Sequence, residues 1–118
     1  MKEAKLSMEV EGVPVDLILR RATIADDMRR GMLAARAMQT PHADPAEQTV
    51  AVVIYPRCLG CVLSGTVNGQ PAAELSIDDF IGLPFEIGEA WLSSALDLNP
   101  SWRLTVPSAE EQTDTKKK

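Results

Sequence analysis

Cys58 and Cys61 form the one motif of this 118-residue chain that is typical of an enzyme. Two cysteines at this spacing can act as a redox dithiol or can supply half of a tetrahedral zinc site. The zinc interpretation lacks ligands, because the chain has no other cysteine and a single histidine, His42. The redox interpretation lacks the long helix that follows such a pair in thioredoxin-like folds. We therefore interpret both cysteines as small buried residues on a turn, and a thiol redox protein is the alternative.

No other arrangement of side chains in the sequence indicates catalysis or a bound metal. His42 lies in a predicted loop, and no serine or cysteine nucleophile stands in an elbow motif. The carboxylate pairs Asp26-Asp27 and Asp78-Asp79 fall at predicted helix starts, where negative charge meets the positive end of the helix dipole. Capping accounts for both pairs. The sequence therefore predicts no catalytic residue, no metal and no cofactor.

The composition predicts a single domain that binds neither a membrane nor nucleic acid. A chain of this length buries a core without disulfides, and its longest apolar run, residues 50–55, is far shorter than the ~20 residues of a membrane span. The charged N-terminus is unlike a signal peptide. The net charge is −5 and the arginines are scattered, whereas phosphate binding needs a coherent basic face. We expect a cytoplasmic protein.

The elements that carry these residues predict an α+β fold that is predominantly helical, with an N-terminal β-hairpin. Alternating apolar residues on both sides of Glu11-Gly12 predict the hairpin over residues 5–20. Helix caps at Thr23 and Ser76 belong to a series of helices that ends with one stopped by Asn99-Pro100. The predicted helices cover residues 24–38, 46–55, 77–82 and 84–98. Residues 1–103 then form one globular domain, and residues 104–118 form a disordered polar tail.

Three details of this prediction concern the middle of the chain. Pro56 is expected to end the second helix at Tyr55. Residues 58–63 are a candidate for another short helical turn. Asn68-Gly69 is a turn signal that either connects two short strands or lies in a plain loop.

The first predicted helix has two faces that bear on binding. Met28, Met32 and Met38 share one face around Gly31, which we predict to be the buried face. The alternative is an adaptable binding groove, because thioether side chains are flexible. Leu33 lies on the opposite side between two arginines, in a stripe that we predict to be solvated. The alternative for this stripe is an interface with an acidic surface, such as that of Glu86, Glu89 and Asp97 in another copy.

The last predicted helix has an apolar arc around Trp91 that is wider than one buried face requires. The arc spans roughly 180°, whereas one face of a surface helix needs about 100°. We therefore expect a partner to cover part of it by hydrophobic capture, and we expect self-association for the same reason. The candidate partner-binding residues are Met28, Met32, Leu33, Trp91, Leu98 and Trp102.

Four segments follow one another along the chain: EGVPVDLILRRATIADDMRRG, ELSIDDFIGLP, a helix carrying a tryptophan, and LNPSW ahead of a charged tail. This arrangement resembles the small tail assembly chaperones of long-tailed bacteriophages and prophages. The resemblance implies a mostly helical protein that is absent from the finished virion. It also implies protein clients, because such chaperones bind the tape-measure protein, keep its apolar helices soluble and recruit tail-tube subunits. The two cysteines belong to none of these segments.

Taken together, the sequence predicts a non-catalytic protein-binding factor that resembles a phage tail assembly chaperone. Two alternatives stay open. One is a thiol redox protein that uses Cys58 and Cys61, and the other is a structural subunit of a phage tail or head.

Overall fold

The computed structural model describes residues 2–103, and its first element is the predicted hairpin. Strand β1 is Glu3–Val10 and strand β2 is Val13–Arg20, and they pair antiparallel with Val10 opposite Val13. Glu11 and Gly12 both have positive φ, 52° and 81°, as a two-residue type I′ turn requires. The prediction of an N-terminal β-hairpin is confirmed.

The hairpin is only half of the sheet, so the predicted fold class is wrong. Strands β3 (Val62–Val67) and β4 (Gln70–Pro71) extend it to a four-stranded antiparallel sheet in the order β1-β2-β3-β4. Strands take up 24% and helical segments 56% of the described residues. A helical chain with a lone hairpin therefore does not describe this protein. The turn at Asn68-Gly69, with φ of 52° and 82°, connects the two added strands.

The sequence of strand β3 does not show the pattern of a strand. Its extended conformation depends instead on pairing with β2. Gly65 lies opposite Leu17 and has a φ of +121°, which L side chains rarely adopt. A Cβ atom at this position would also clash with the carbonyl oxygen of Asp16. The glycine that weakens the strand signal in the sequence is thus the residue that allows the two backbones to approach.

Five α-helices and a π-helical segment complete the fold. They are α1 (Ile24–Gln39), α2 (Pro45–Thr49), the π-helical segment (Val50–Ile54), α3 (Tyr55–Gly60), α4 (Ile77–Ile81) and α5 (Phe85–Leu98). Short 3₁₀ turns lie at Ala72–Glu74 and Pro100–Trp102. Thr23 and Asp26 form a reciprocal capping box at the start of α1, and Ser76 caps α4 by accepting from the N–H of Asp79.

The prediction that Pro56 ends the second helix is wrong, because a π-helical turn accommodates the proline. The chain stays helical from Pro45 to Gly60. The Tyr55 N–H donates to the Val50 carbonyl oxygen, five residues earlier. A proline ring normally clashes with the carbonyl four residues before it, and a widened turn moves that carbonyl aside. The predicted disordered tail, residues 104–118, lies outside the described residues.

Helix α5 is the centre of the core. It contacts β1 and β2 and also α3, so its wide apolar arc is used within one chain. The Trp91 ring packs edge-on against Phe80 at 5.5 Å between ring centroids, and Phe80 packs in the same way against Tyr55 at 5.4 Å. Aromatic pairs favour this arrangement. The far side of α1 stays exposed within residues 2–103.

Candidate functional site

Helix α1 exposes the face that its sequence pattern predicts to be buried. Ile24 is 88% exposed, Met28 62%, Met32 60% and Met38 65%. The inner face instead carries Asp26 and Ala37, which are buried, and three partly buried residues: Arg30, Leu33 and Ala34. The prediction of a buried methionine face is therefore wrong. We call the exposed face, formed by Ile24, Met28, Gly31, Met32, Ala35 and Met38, the methionine ridge.

A buried carboxylate decides which face of α1 turns inward. Asp26 is 1% exposed, and its two oxygens accept hydrogen bonds from Arg20 at 3.0 Å, from Arg29 at 2.9 Å and from the Thr23 N–H at 2.9 Å. Burial raises the pKa of Asp26, but these hydrogen bonds outweigh it and lower the pKa to about 2. Because Arg20 ends strand β2, the ion pair ties α1 to the sheet with its methionines outward.

Arg30 strengthens the same orientation from the next turn of α1. Its guanidinium lies 5.3 Å from the centre of the Trp102 ring, and it also pairs with Asp27 at 2.9 Å. The Trp102 indole N–H donates to Asp27 at 3.0 Å. Charged and aromatic groups thus replace the apolar contacts that the sequence pattern predicts for the inner face.

Three of the predicted partner-binding residues lie in the core and not on the surface. Trp91 is 0% exposed, Leu98 5% and Trp102 8%. The Trp91 indole N–H donates to the Cys58 carbonyl oxygen at 3.0 Å, so both its ring and its polar atom are satisfied within the chain. Leu33 is partly buried and packs against the core. Of the six candidates, the structure leaves Met28 and Met32 open to a partner.

A second exposed apolar surface lies at the start of α5, and it includes Phe85, Gly88 and Leu92 of the wide apolar arc that the sequence predicts for this helix. Phe85 is 74% exposed and borders a groove of about 400 Å³. We call it the Phe85 groove; its apolar lining includes Val50, Ile54, Ile81, Phe85, Gly88 and Leu92. The groove joins the π-helical segment, α4 and α5, which are distant in sequence. A further local signal is Gly88 in the middle of a helix, where glycine is unfavourable.

Cys58 and Cys61 are placed in the core, where solvent does not reach either side chain. Both are free and both are 0% exposed. Burial raises the pKa of Cys58 well above its usual value, and burial raises the pKa of Cys61 to about 12. The Cys61 Sγ points back to the Cys58 carbonyl oxygen at 3.7 Å. The pair packs the turn between α3 and β3, as expected of inert structural cysteines.

We expect the native thiols to react with iodoacetamide at pH 8 at least about 100-fold more slowly than those of the urea-unfolded chain. Only the thiolate is nucleophilic. The raised pKa values lower the fraction of thiolate, and burial keeps the reagent away from it. Mass spectrometry of aliquots quenched over time measures both rates. A native cysteine that is alkylated as fast as an unfolded one would restore the redox interpretation.

The other acidic and histidine side chains of residues 2–103 form no metal site. No group of three or more His, Cys, Asp or Glu side chains in that range is placed to hold a metal ion. The His42 Nε2 lies 3.5 Å from the Asp78 carboxylate, which is a single contact at the surface. Within residues 2–103, no helix has both the length and the apolar character that are needed to cross a bilayer.

Comparisons of this chain with protein-family models, with curated proteins and with solved structures give no match. We therefore infer the function from two exposed apolar surfaces of the described residues, the methionine ridge and the Phe85 groove.

Proposed function

We propose that this protein is a non-catalytic protein-binding factor that holds an apolar helix of a client protein on its methionine ridge. The observation that carries the proposal is the exposure of four large apolar side chains, between 60% and 88%, on one face of α1. Contiguous exposed apolar surface of this kind marks interaction sites in proteins. The opposite face of α1 packs on the domain, so the ridge is presented on a rigid support.

Methionine suits a client that offers many similar apolar helices. Its unbranched thioether adapts to different neighbours, and binding surfaces that accept several sequences are often rich in it. Fully burying a side chain such as methionine or isoleucine gains about 1.5–3 kcal/mol. Covering the ridge therefore gains several kcal/mol, before the entropy that association costs.

The particular role we propose is that of a phage tail assembly chaperone acting in the cytoplasm of a bacterial host. Its support is the resemblance in sequence together with the exposed ridge. In this role the clients are the apolar helices of a tape-measure protein, and tail-tube subunits are recruited to the complex. The net charge of −5 favours solubility of a complex that carries so much apolar surface.

The test is co-expression with a tape-measure protein of a long-tailed phage, followed by measurement of the soluble client fraction. Replacing Met28 and Met32 together with glutamate is expected to lower that fraction about tenfold, because two charges would have to be buried against the client. The control replaces Gln70 and Ser93 with glutamate, which makes the same change of charge at exposed positions outside the ridge. It should leave the soluble fraction unchanged.

Equal client retention by the ridge variant and the control would contradict binding through the ridge. Particle composition tests the particular role separately. A chaperone is absent from purified tails, whereas a structural tail or head subunit remains in them, so finding this chain in finished particles would replace the chaperone role with the structural one.

A further inference from the structure

We propose that the methionine ridge of one copy docks into the Phe85 groove of a second copy, so that the protein associates with itself head to tail. The two surfaces are the exposed apolar features of α1 and of α5, and they differ in shape. The ridge is a row of projecting side chains, and the groove is a cleft of about 400 Å³ between three helical segments. This inference goes beyond the proposed function, because its occupant is this chain itself and no client is needed.

Each surface has a glycine at its centre that nothing within the described chain explains. Gly31 lies in the ridge and Gly88 in the groove, and both are interior to helices, where glycine is the poorest residue after proline. A Cβ added at either position would meet no heavy atom of residues 2–103 within 4 Å. Neither glycine is therefore required by packing in the described part of the domain. Close approach of another helix is the physical reason that remains, since a missing side chain lets two backbones come together.

The charges beside the two surfaces are opposite. Arg36 is exposed at the side of the ridge and has no ion-pair partner within residues 2–103, and Arg29 beside it is 55% exposed. Glu89 lines the groove and Glu86 lies one turn before it on α5; both are exposed, and neither pairs with a cation among those same residues. Complementary charges of this kind select a partner and orient it.

A ridge cannot fill the groove of its own chain. The ridge is on the side of α1 opposite to the side that packs on the domain, and none of the residues lining the groove belongs to α1. The contact is therefore between copies and joins two different patches. Such heterologous contacts either continue as an open chain, which leaves one ridge and one groove free at its ends, or close into a ring. A client that binds the ridge competes with this contact.

The experiment is sedimentation velocity of the full chain over a wide range of concentration, with one variant for each surface. Met32→Glu disables the ridge, and Gly88→Lys fills the groove and adds a positive charge beside Glu89. Both positions are accessible and both new residues favour helix, so the fold is retained, which far-UV circular dichroism checks. The wild type is expected to associate with increasing concentration, and each variant alone about tenfold more weakly.

Mixing the two variants gives the decisive result. The ridge variant keeps an intact groove and the groove variant keeps an intact ridge, so the mixture should form a 1:1 dimer that grows no further. A monomeric wild type, a mixture that forms no dimer, or a groove variant that associates by itself as strongly as the wild type would each overturn the inference. Client retention distinguishes failure of this inference from failure of the proposed function. The groove variant should retain the client. If the wild type associates with itself but does not retain the client, only the client role is refuted.

Discussion

Replacing Trp91 with alanine is expected to lower the free energy of unfolding by about 4 kcal/mol, because a buried indole leaves a large cavity. The side chain is 0% exposed and packs against Phe80, and α5 contacts both the sheet and α3 through this region. The loss would be a large fraction of the roughly 5–15 kcal/mol that a domain of this size has. Urea unfolding followed by far-UV circular dichroism measures it.

Two further variants separate packing from hydrogen bonding at this position. Trp91→Phe keeps an aromatic ring but leaves the Cys58 carbonyl oxygen without its donor, so we expect a smaller loss of about 1–3 kcal/mol. Met32→Ala is the surface control, and we expect it to change stability by at most about 0.5 kcal/mol. If Trp91→Ala were as mild as Met32→Ala, Trp91 would be a surface residue and the core described above would be incorrect.

Replacing Asp26 with asparagine is expected to cost about 3 kcal/mol at neutral pH. The change removes the negative charge that Arg20 and Arg29 share and one of the two acceptor oxygens, and it weakens the cap at Thr23. Breaking a buried ion pair by neutralising one partner is strongly destabilising. Urea unfolding at pH 7 measures the loss. Asp97→Asn is the matched control: its carboxylate pairs with Arg103 but is 68% exposed, and we expect an effect below about 1 kcal/mol.

The same aspartate sets a pH dependence whose direction is fixed by its pKa. The folded-state pKa of about 2 lies below the roughly 3.9 of an unfolded aspartate. The folded state therefore binds this proton less readily, so the stabilisation is complete above about pH 4 and is lost as the pH falls towards 2. It amounts to about 2 kcal/mol in the wild type and is absent in Asp26→Asn. Parallel slopes for the two proteins between pH 4 and pH 2 would contradict the hydrogen bonds of Asp26 with Arg20 and Arg29.

Predictions from the sequence succeed where a structure depends on residues close together in the chain. Alternating residues around Glu11-Gly12 are enough to indicate the hairpin, because turn and strands lie within twenty residues. The caps at Thr23 and Ser76 are visible for the same reason, since each uses a side chain and a backbone group three residues apart. Cys58 and Cys61 are buried, as the sequence predicts for small residues on a turn.

For the candidate site, the sequence predicts which residues are involved better than it predicts where they lie. Met28 and Met32 can be named from their residue type and spacing, but the pattern assigns them to the core. Helical periodicity identifies which residues share a face and does not say which face turns inward. Trp91 is predicted to bind a partner, whereas the sheet and α3 of the same chain bury the part of the apolar arc around it. The Phe85 end of that arc stays exposed.

The sequence alone determined the local structure of this protein: the hairpin, the helix starts, the turn at Asn68-Gly69 and the set of apolar residues on each helix face. Tertiary structure decided that β3 is a strand, that the helix continues through Pro56, and that the methionines point to solvent. The physical reason is distance along the chain. Gly65 becomes part of a strand by pairing with Leu17, and α1 takes its orientation from the ion pair between Asp26 and Arg20. In both cases the partner residue lies in β2, outside the element whose position it determines.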